Sequence, residues 1–293
     1  MSAAWNWLRH KAIVIYAGLA IIYMLVPVIV IAVFSFNDPA GKFNFTWQGF
    51  TTQYWGDAFS LSELNEALGL SLQLAAASTL ISTILGTMIA LALVRHQFMG
   101  RRLANFLIVI PMATPEVVIG SALLSMFLIY GIELGFNTLL IAHVMFSISF
   151  VVVVVRSRLI GFDRSLEEAA RDLGATPAGT FRTITLPLLS PGLIGAALLA
   201  FALSIDDFVI SQFNAGDRVT FPLFIAGAAV RGIPVQVYVL ATMLFVVTVA
   251  AMVFVLWQQR RAEKLAAIEP DDPTDTGLSA LVSGQRPVAG TQT

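Results

Sequence analysis

Six stretches of this chain, residues 12–36, 66–94, 104–130, 136–155, 189–213 and 235–257, are each long and apolar enough to cross a bilayer, which takes about 20 mostly apolar residues. Lipid offers no water to bond with backbone N–H and C=O groups, so such a segment must be a helix that satisfies them itself. The expected fold is all-α, a polytopic membrane protein with six transmembrane helices. Charge agrees: only 12% of the residues are charged, against about a quarter in a soluble domain. A net charge of −1 gives no reason to expect nucleic-acid binding. With no cysteine, disulfides, iron–sulfur clusters and thiol catalysis are excluded.

The first stretch is longer than the roughly 7–15 apolar residues of a signal peptide and continues through Pro27, so it reads as a retained helix. The second is the least hydrophobic, with Ser71, Gln73, Ser78, Thr79, Ser82, Thr83 and Thr87 among Ala and Leu. Small and hydroxylated residues suit close helix packing, which places this helix inside the bundle. Lys and Arg set the orientation. With both termini inside, only Lys42, Arg218 and Arg231 of the 17 basic residues fall in outer connections. Both termini are therefore expected in the cytoplasm. Trp5, Trp7 and Trp257 then sit at inner ends, and Trp47 and Trp55 lie in a long aromatic outer loop, about 37–65. That loop is too apolar to be a free linker and should lie on the outer membrane surface or under a partner.

The inner connection 156–188 is the longest on its side. Ser-Leu-Glu-Glu-Ala-Ala-Arg-Asp-Leu, 165–173, is helix material. Ser165 and Glu168 have the spacing of a capping box, and Gly174 is a helix stop. Thr176-Pro177 fits the start of a second short helix, running to about Thr185. Leu166, Ala169, Ala170 and Leu173 fall at helical spacing and form a small apolar face. Two readings of this pattern stand side by side: an amphipathic loop resting on the bilayer, and a docking element for another subunit.

Glu168-Ala169-Ala170, Gly174, Ile184, Leu186 and Pro187 resemble, position by position, the EAA signature of type I ABC-importer permeases. The resemblance extends over the six-helix core, about 12–262. It implies that the two short helices insert into a cleft of a cytoplasmic ATPase, that Glu168 meets a basic residue there, and that Gly174 sets the bend. It also implies a second, similar permease subunit, two ATPase copies and an extracytoplasmic solute-binding protein in a bacterial cell membrane. The chain divides accordingly into a cytoplasmic N-terminus 1–11, a permease domain 12–262 with its coupling loop 156–188, and a disordered tail 263–293 rich in Pro, Asp and Gly.

The chain is expected to be a transport subunit and not an enzyme. Gly174 to Thr180 has the glycine spacing of a phosphate loop but no Lys. No cofactor is expected on this chain, because ATP and Mg would be used by the partner ATPase. No metal motif occurs; His10, His96 and His143 are scattered, and His143 reads as a packed, hydrogen-bonded residue.

Three carboxylates lie within spans: Glu116 in the third, and Asp206 and Asp207 in the fifth. An Asp at the bilayer centre costs about 2.5–3.5 kcal/mol on insertion scales, so such groups face a cavity or a partner. Pro111 and Pro115 should break the third helix beside Glu116 and free carbonyls. Glu116 and Asp207 are expected to line a path for a cation. Asp206, about 100° away on a helix, either shares that path or pairs elsewhere. Ser204-Ile-Asp206-Asp207-Phe208-Val209-Ile210-Ser211, with Gly216 and Pro222, and Pro111-x3-Pro115-Glu116 resemble spermidine/putrescine permeases. Asp217-Arg218 stands where that pattern commonly has Pro. The resemblance implies a polyamine as solute. Ferric ion, thiamine or another small organic ion are the alternatives, and an ion-coupled secondary transporter using Asp206 and Asp207 is a further one.

Overall fold

The computed structural model describes residues 2–266. Most of the expected tail, from residue 267, lies outside the described residues. The chain divides into two units, residues 1–31 with 240–293 and residues 32–239. In the first unit, α1 (Ser2–Phe34) and most of α12 (Val235–Ala266) are long apolar helices. The helix α1 begins at Ser2, so the short N-terminal segment before residue 12 continues the span as helix. Tyr16 and Tyr23 on α1 are exposed. Near the other end of α12, the Arg261 guanidinium lies 4.4 Å over the Trp257 ring, a cation–π contact.

The second unit holds the packed helices. They are α2 (Gln53–Gly56), α3 (Ser62–Arg95), α4 (Arg101–Ala113), α5 (Glu116–Ile129), α6 (Phe136–Ile160), α7 (Ser165–Asp172) and α8 (Pro177–Thr180), a π-helical turn (Phe181–Thr185), α9 (Leu186–Ile205), α10 (Val209–Asn214) and α11 (Phe221–Arg231). Among the described residues of both units, five helical segments are long and apolar enough to cross a membrane, and six if the bent pair α4–α5 is one span.

The centre of this unit is α3 against α6 and α9. In lipid, helices gain little from the hydrophobic effect and associate through close packing and hydrogen bonds. The sequence of α3 provides for this. Ala67, Ser71, Ala75, Ser78, Ser82, Gly86 and Ala90 recur at three- and four-residue steps and are buried. Ala90 and Leu93 join Val151, Val152, Val155 and Leu159 of α6 and Leu189, Ala196 and Ala200 of α9 in one cluster. The stripe of small residues is thus the interior face expected of this helix.

Two expected spans are interrupted differently from the sequence expectation. Pro111 lies inside α4, and the break comes at Thr114-Pro115, where the chain bends by 109°. Pro115 forces its predecessor into extended backbone, and Thr114 has ψ 134°. The Thr114 hydroxyl donates to the Ile110 carbonyl at 2.7 Å, occupying an acceptor near the helix end. The fifth span, expected over 189–213, instead runs from Pro177 to Ile205 and stops at Asp206. Pro187 does not separate a short helix from the span. It supplies no N–H to the preceding turn, and that turn is π-helical and runs directly into α9, with the Leu186 N–H bonded to the Phe181 carbonyl.

The loop 37–61 is ordered by side chains. Asn37 and Asn44 are buried. Asn37 Nδ2 donates to Asn44 Oδ1 at 2.6 Å and to the Thr46 carbonyl at 2.8 Å. Phe36 stacks between Phe50 and Trp55, with ring centroids 5.6 and 5.0 Å away.

A Cβ at Gly86 would come within 2.6 Å of Val151 Cγ1, whereas one at Gly195 would meet nothing within 4 Å. Val151 is buried and stiff at χ1. Gly86→Ala should therefore destabilise by about 1–3 kcal/mol. Gly195→Ala should be neutral or stabilise by up to about 1 kcal/mol. Thermal unfolding of the purified protein in detergent measures both.

Candidate functional site

The loop between α6 and α9 is built by local capping. Asp163 lies just ahead of α7: its Oδ1 accepts the Ser165 N–H at 2.9 Å, and that contact holds the Asp163 carboxyl below the usual carboxylate range. The expected box between Ser165 and Glu168 is not formed, because Ser165 already lies within the helix. Gly174 ends α7 at φ +86°. The Ala175 N–H bonds to the Ala170 carbonyl at 3.0 Å and the Gly174 N–H to that of Arg171 at 2.8 Å, which is a Schellman stop. Any L-residue at 174 pays about 1–2 kcal/mol for this left-handed backbone. Thr176 Oγ1 accepts the Gly179 N–H at 3.1 Å and caps α8, with Pro177 at its first turn. The result is a helix, a glycine turn and a second helical segment continuous with α9.

Among the described residues, most of the apolar face of α7 is left uncovered. Leu166 is 48% and Leu173 90% exposed, and Glu168 and Ala169 are exposed beside them. Ile184 is half-buried, and Leu186 and Pro187 are exposed.

The carboxylates converge elsewhere. The helix α5 packs on α10. Gly120 allows the approach, since a Cβ there would lie 2.8 Å from the Phe213 ring. Asn214 Nδ2 donates to the Gly120 carbonyl at 3.3 Å across the same contact. This brings Glu116, at the start of α5, within electrostatic range of Asp206 and Asp207. Glu116 and Asp206 are exposed.

Asp207 differs from the expectation. It is 8% exposed and lies in the break between α9 and α10, not on a continuous helix. Its Oδ1 accepts the Ile210 N–H at 3.2 Å and its Oδ2 the Ser211 N–H at 2.8 Å. His143 Nε2 is 3.5 Å from Oδ2 and 3.1 Å from Ser211 Oγ. His143 Nδ1 lies 2.8 Å from Ser204 Oγ, which is 2.9 Å from Ser78 Oγ. His143 is thus packed and hydrogen-bonded, as its position suggested. The network joins α3, α6, α9 and α10 through buried polar atoms and commits both Asp207 oxygens to the fold.

A cavity of about 1150 Å³ opens between the start of α3 and the α10–α11 segment, lined by Glu63, Glu66, Gln73, Gln212, Asp217, Arg218 and Arg231 among others. Among the described residues no cluster of His, Asp and Glu could hold a metal ion.

Residues 82–264 match the family model described as the binding-protein-dependent transport system inner membrane component. The chain belongs to this family. It is therefore a membrane transport subunit, a permease of an ABC importer, and its relatives agree. The spermidine/putrescine transport system permease protein PotC of Escherichia coli strain K12 is 38% identical over 232 residues, which cover 79% of this chain and 87% of the relative. The putrescine transport system permease protein PotI of the same strain is 36% identical over 263 residues, covering 87% and 92%. Among solved structures, a bacterial ABC transporter involved in the import of the acidic polysaccharide alginate aligns with TM-score 0.60 at 18% identity, over 88% of this chain and 98% of that one. That likeness shows a shared fold.

Within this permease fold, the loop residues Glu168, Ala169, Ala170 and Gly174 cluster on one short element, with Ile184, Leu186 and Pro187 at the foot of α9. Glu116 and Asp206 are exposed carboxylates on packed segments, while Asp207 is buried and bonded to the start of α10. Sequence reasoning passed over Glu167 and Arg95, which the fold brings together. The signal available was the Glu167-Glu168 pair: neighbours on a helix point about 100° apart, so both cannot face one partner.

Asp207→Asn would turn one acceptor into a donor facing a backbone N–H. It should cost about 1–3 kcal/mol of stability, whereas Asp206→Asn should stay within about 0.5 kcal/mol. Thermal unfolding of the two variants in detergent separates these outcomes.

Proposed function

We propose that this permease carries a polyamine, spermidine or putrescine, inward across a bacterial inner membrane. Its α7–α8 loop docks in a cytoplasmic ATPase, and a second permease subunit completes the path. An extracytoplasmic binding protein delivers the solute. The identity with PotC and PotI over most of the chain supports the solute class. A solved relative in this fold, crystallised with an alginate pentasaccharide-bound periplasmic protein, supports the delivery arrangement. The bias of basic residues toward one set of connections supports a cytoplasmic position for both termini.

The observation that carries the solute reading is the pair of exposed carboxylates Glu116 and Asp206 at adjoining helix breaks. Two unit charges 4 Å apart attract by about 4 kcal/mol at an effective dielectric constant of 20. Such a contact offsets part of the cost of dehydrating an ammonium group. Two carboxylates neutralise the separated charges of a diamine while remaining too few to trap it. Asp207 serves by holding the break open through α10.

On the cytoplasmic side, Leu166, Glu168, Ala169 and Leu173 form the surface offered to the ATPase. Gly174 fixes the angle between that surface and the foot of α9. Movement of the docked loop would tilt α9 and alternate access to the carboxylates. The ATPase subunit supplies the ATP and Mg chemistry.

The test is ATP-driven uptake of labelled putrescine by the reconstituted transporter. Glu116→Gln with Asp206→Asn should lower uptake by about tenfold or more, equivalent to about 1.4 kcal/mol or more. Unchanged uptake in the double variant would remove the electrostatic path.

A further inference from the structure

The contacts beneath the α3–α6–α9 core have no part in the docking surface. Glu167 is 7% exposed, while Glu168, about 100° further round α7, is exposed. The Glu167 carboxylate turns back into the permease. Its Oε1 accepts from the guanidinium of Arg95, the last residue of α3. The same oxygen accepts from the hydroxyl of Thr185, the last residue of the π-helical turn below α9. Thr185 is fully buried. Just ahead of α7, Arg164 Nη2 donates to the Val94 carbonyl at 3.2 Å, a second tie to the same end of α3.

One carboxylate oxygen therefore joins three elements. A helix of eight residues is too short to be stable alone, since isolated helices shorter than about 12–15 residues are marginal. Leu166 of α7 is 48% exposed and Leu173 just past its end 90%, so among the described residues they anchor the helix weakly. Its position depends on these polar ties. The Arg95–Glu167 pair is mostly withdrawn from solvent, with side chains 23% and 9% exposed. Removing one partner strands the other's charge in a partly buried place.

We propose that Glu167 is a positioning residue that ties the docking loop to α3 and α9 at once, so that a displacement of α7 moves both helices instead of being absorbed within the loop. Next to the ties, Leu93 of α3 and Leu189 of α9 already belong to one packed cluster with Val155 and Leu159 of α6. The latch therefore engages a body able to move as a unit. This inference rests on the proposed docking of the loop. It assigns Glu167 and Glu168 opposite tasks: Glu168 meets the partner, and Glu167 passes the partner's motion on.

The test uses the complete transporter in proteoliposomes, with putrescine import and ATP hydrolysis measured in the same vesicles. Glu167→Gln and Arg95→Gln should each lower import per ATP hydrolysed by about five- to tenfold, in the range of site-to-site coupling, while the ATPase still co-purifies. The double variant should be no worse than the worse single, because both changes remove one contact. Thr185→Val, which changes no charge, should lower the same ratio and keeps the test decisive if a charge variant fails to reach the membrane. Wild-type ratios in the variants, including equal losses of import and hydrolysis, would overturn the latch. So would a double loss equal to the product of the single losses. A wild-type complex whose ATP hydrolysis moved no putrescine would instead contradict the proposed function, and the latch with it.

Discussion

Every interruption of a membrane helix has to be satisfied by the chain itself, because lipid provides no donors or acceptors. Three such interruptions lie among the described residues, and the proposed working parts sit at them. At Thr114-Pro115 the threonine hydroxyl bonds back to Ile110, and Glu116 begins the next helix. At 206–208 the Asp207 carboxylate takes the two free N–H groups of α10, and Asp206 is left exposed. At 181–185 a π-helical turn just ahead of Pro187 ends at Thr185, where Glu167 is held. The breaks place carboxylates on packed helices and give the proposed docking loop a helical continuation into α9.

Closeness of packing makes those breaks tolerable. Alternating Ala, Ser and Gly along α3 lets α6 and α9 approach until Val151 touches the Gly86 backbone. The same approach brings Ser78, Ser204 and His143 into one hydrogen-bonded chain. A polar network is stabilising when each member has a partner and costly when one is missing. Asp207 and His143 are therefore committed to the fold, while Asp206 and Glu116 stay exposed, as the proposed solute path requires.

Much of the fold was legible in the sequence, because apolar runs and bilayer thickness leave few alternatives. The glycine stop at 174 and the Thr176-Pro177 helix start also followed from local backbone chemistry, which tertiary contacts did not override. Other features depended on packing between distant segments. Nothing in a periodic pattern distinguishes Asp206 from Asp207 once the helix ends between Ile205 and Val209. The fate of Asp207 is decided by Ser211 and by His143, over sixty residues away in sequence. The inward turn of Glu167 was likewise hidden, since Arg95 lies on another helix. Asp163, two residues ahead of Ser165, accepts the Ser165 N–H, so Ser165 starts the helix instead of capping it.

The central claim is that ATP hydrolysis on a partner, transmitted through the 165–185 loop, drives a polyamine past Glu116 and Asp206. The most direct measurement is putrescine uptake into proteoliposomes holding the full complex, with ATP present or omitted on the ATPase side and with an uncoupler added. Uptake that requires ATP and the loaded binding protein, and that persists with the uncoupler, is the predicted result. Uptake that proceeds without ATP and collapses with the uncoupler would contradict the account and make Asp206 part of an ion-coupled carrier.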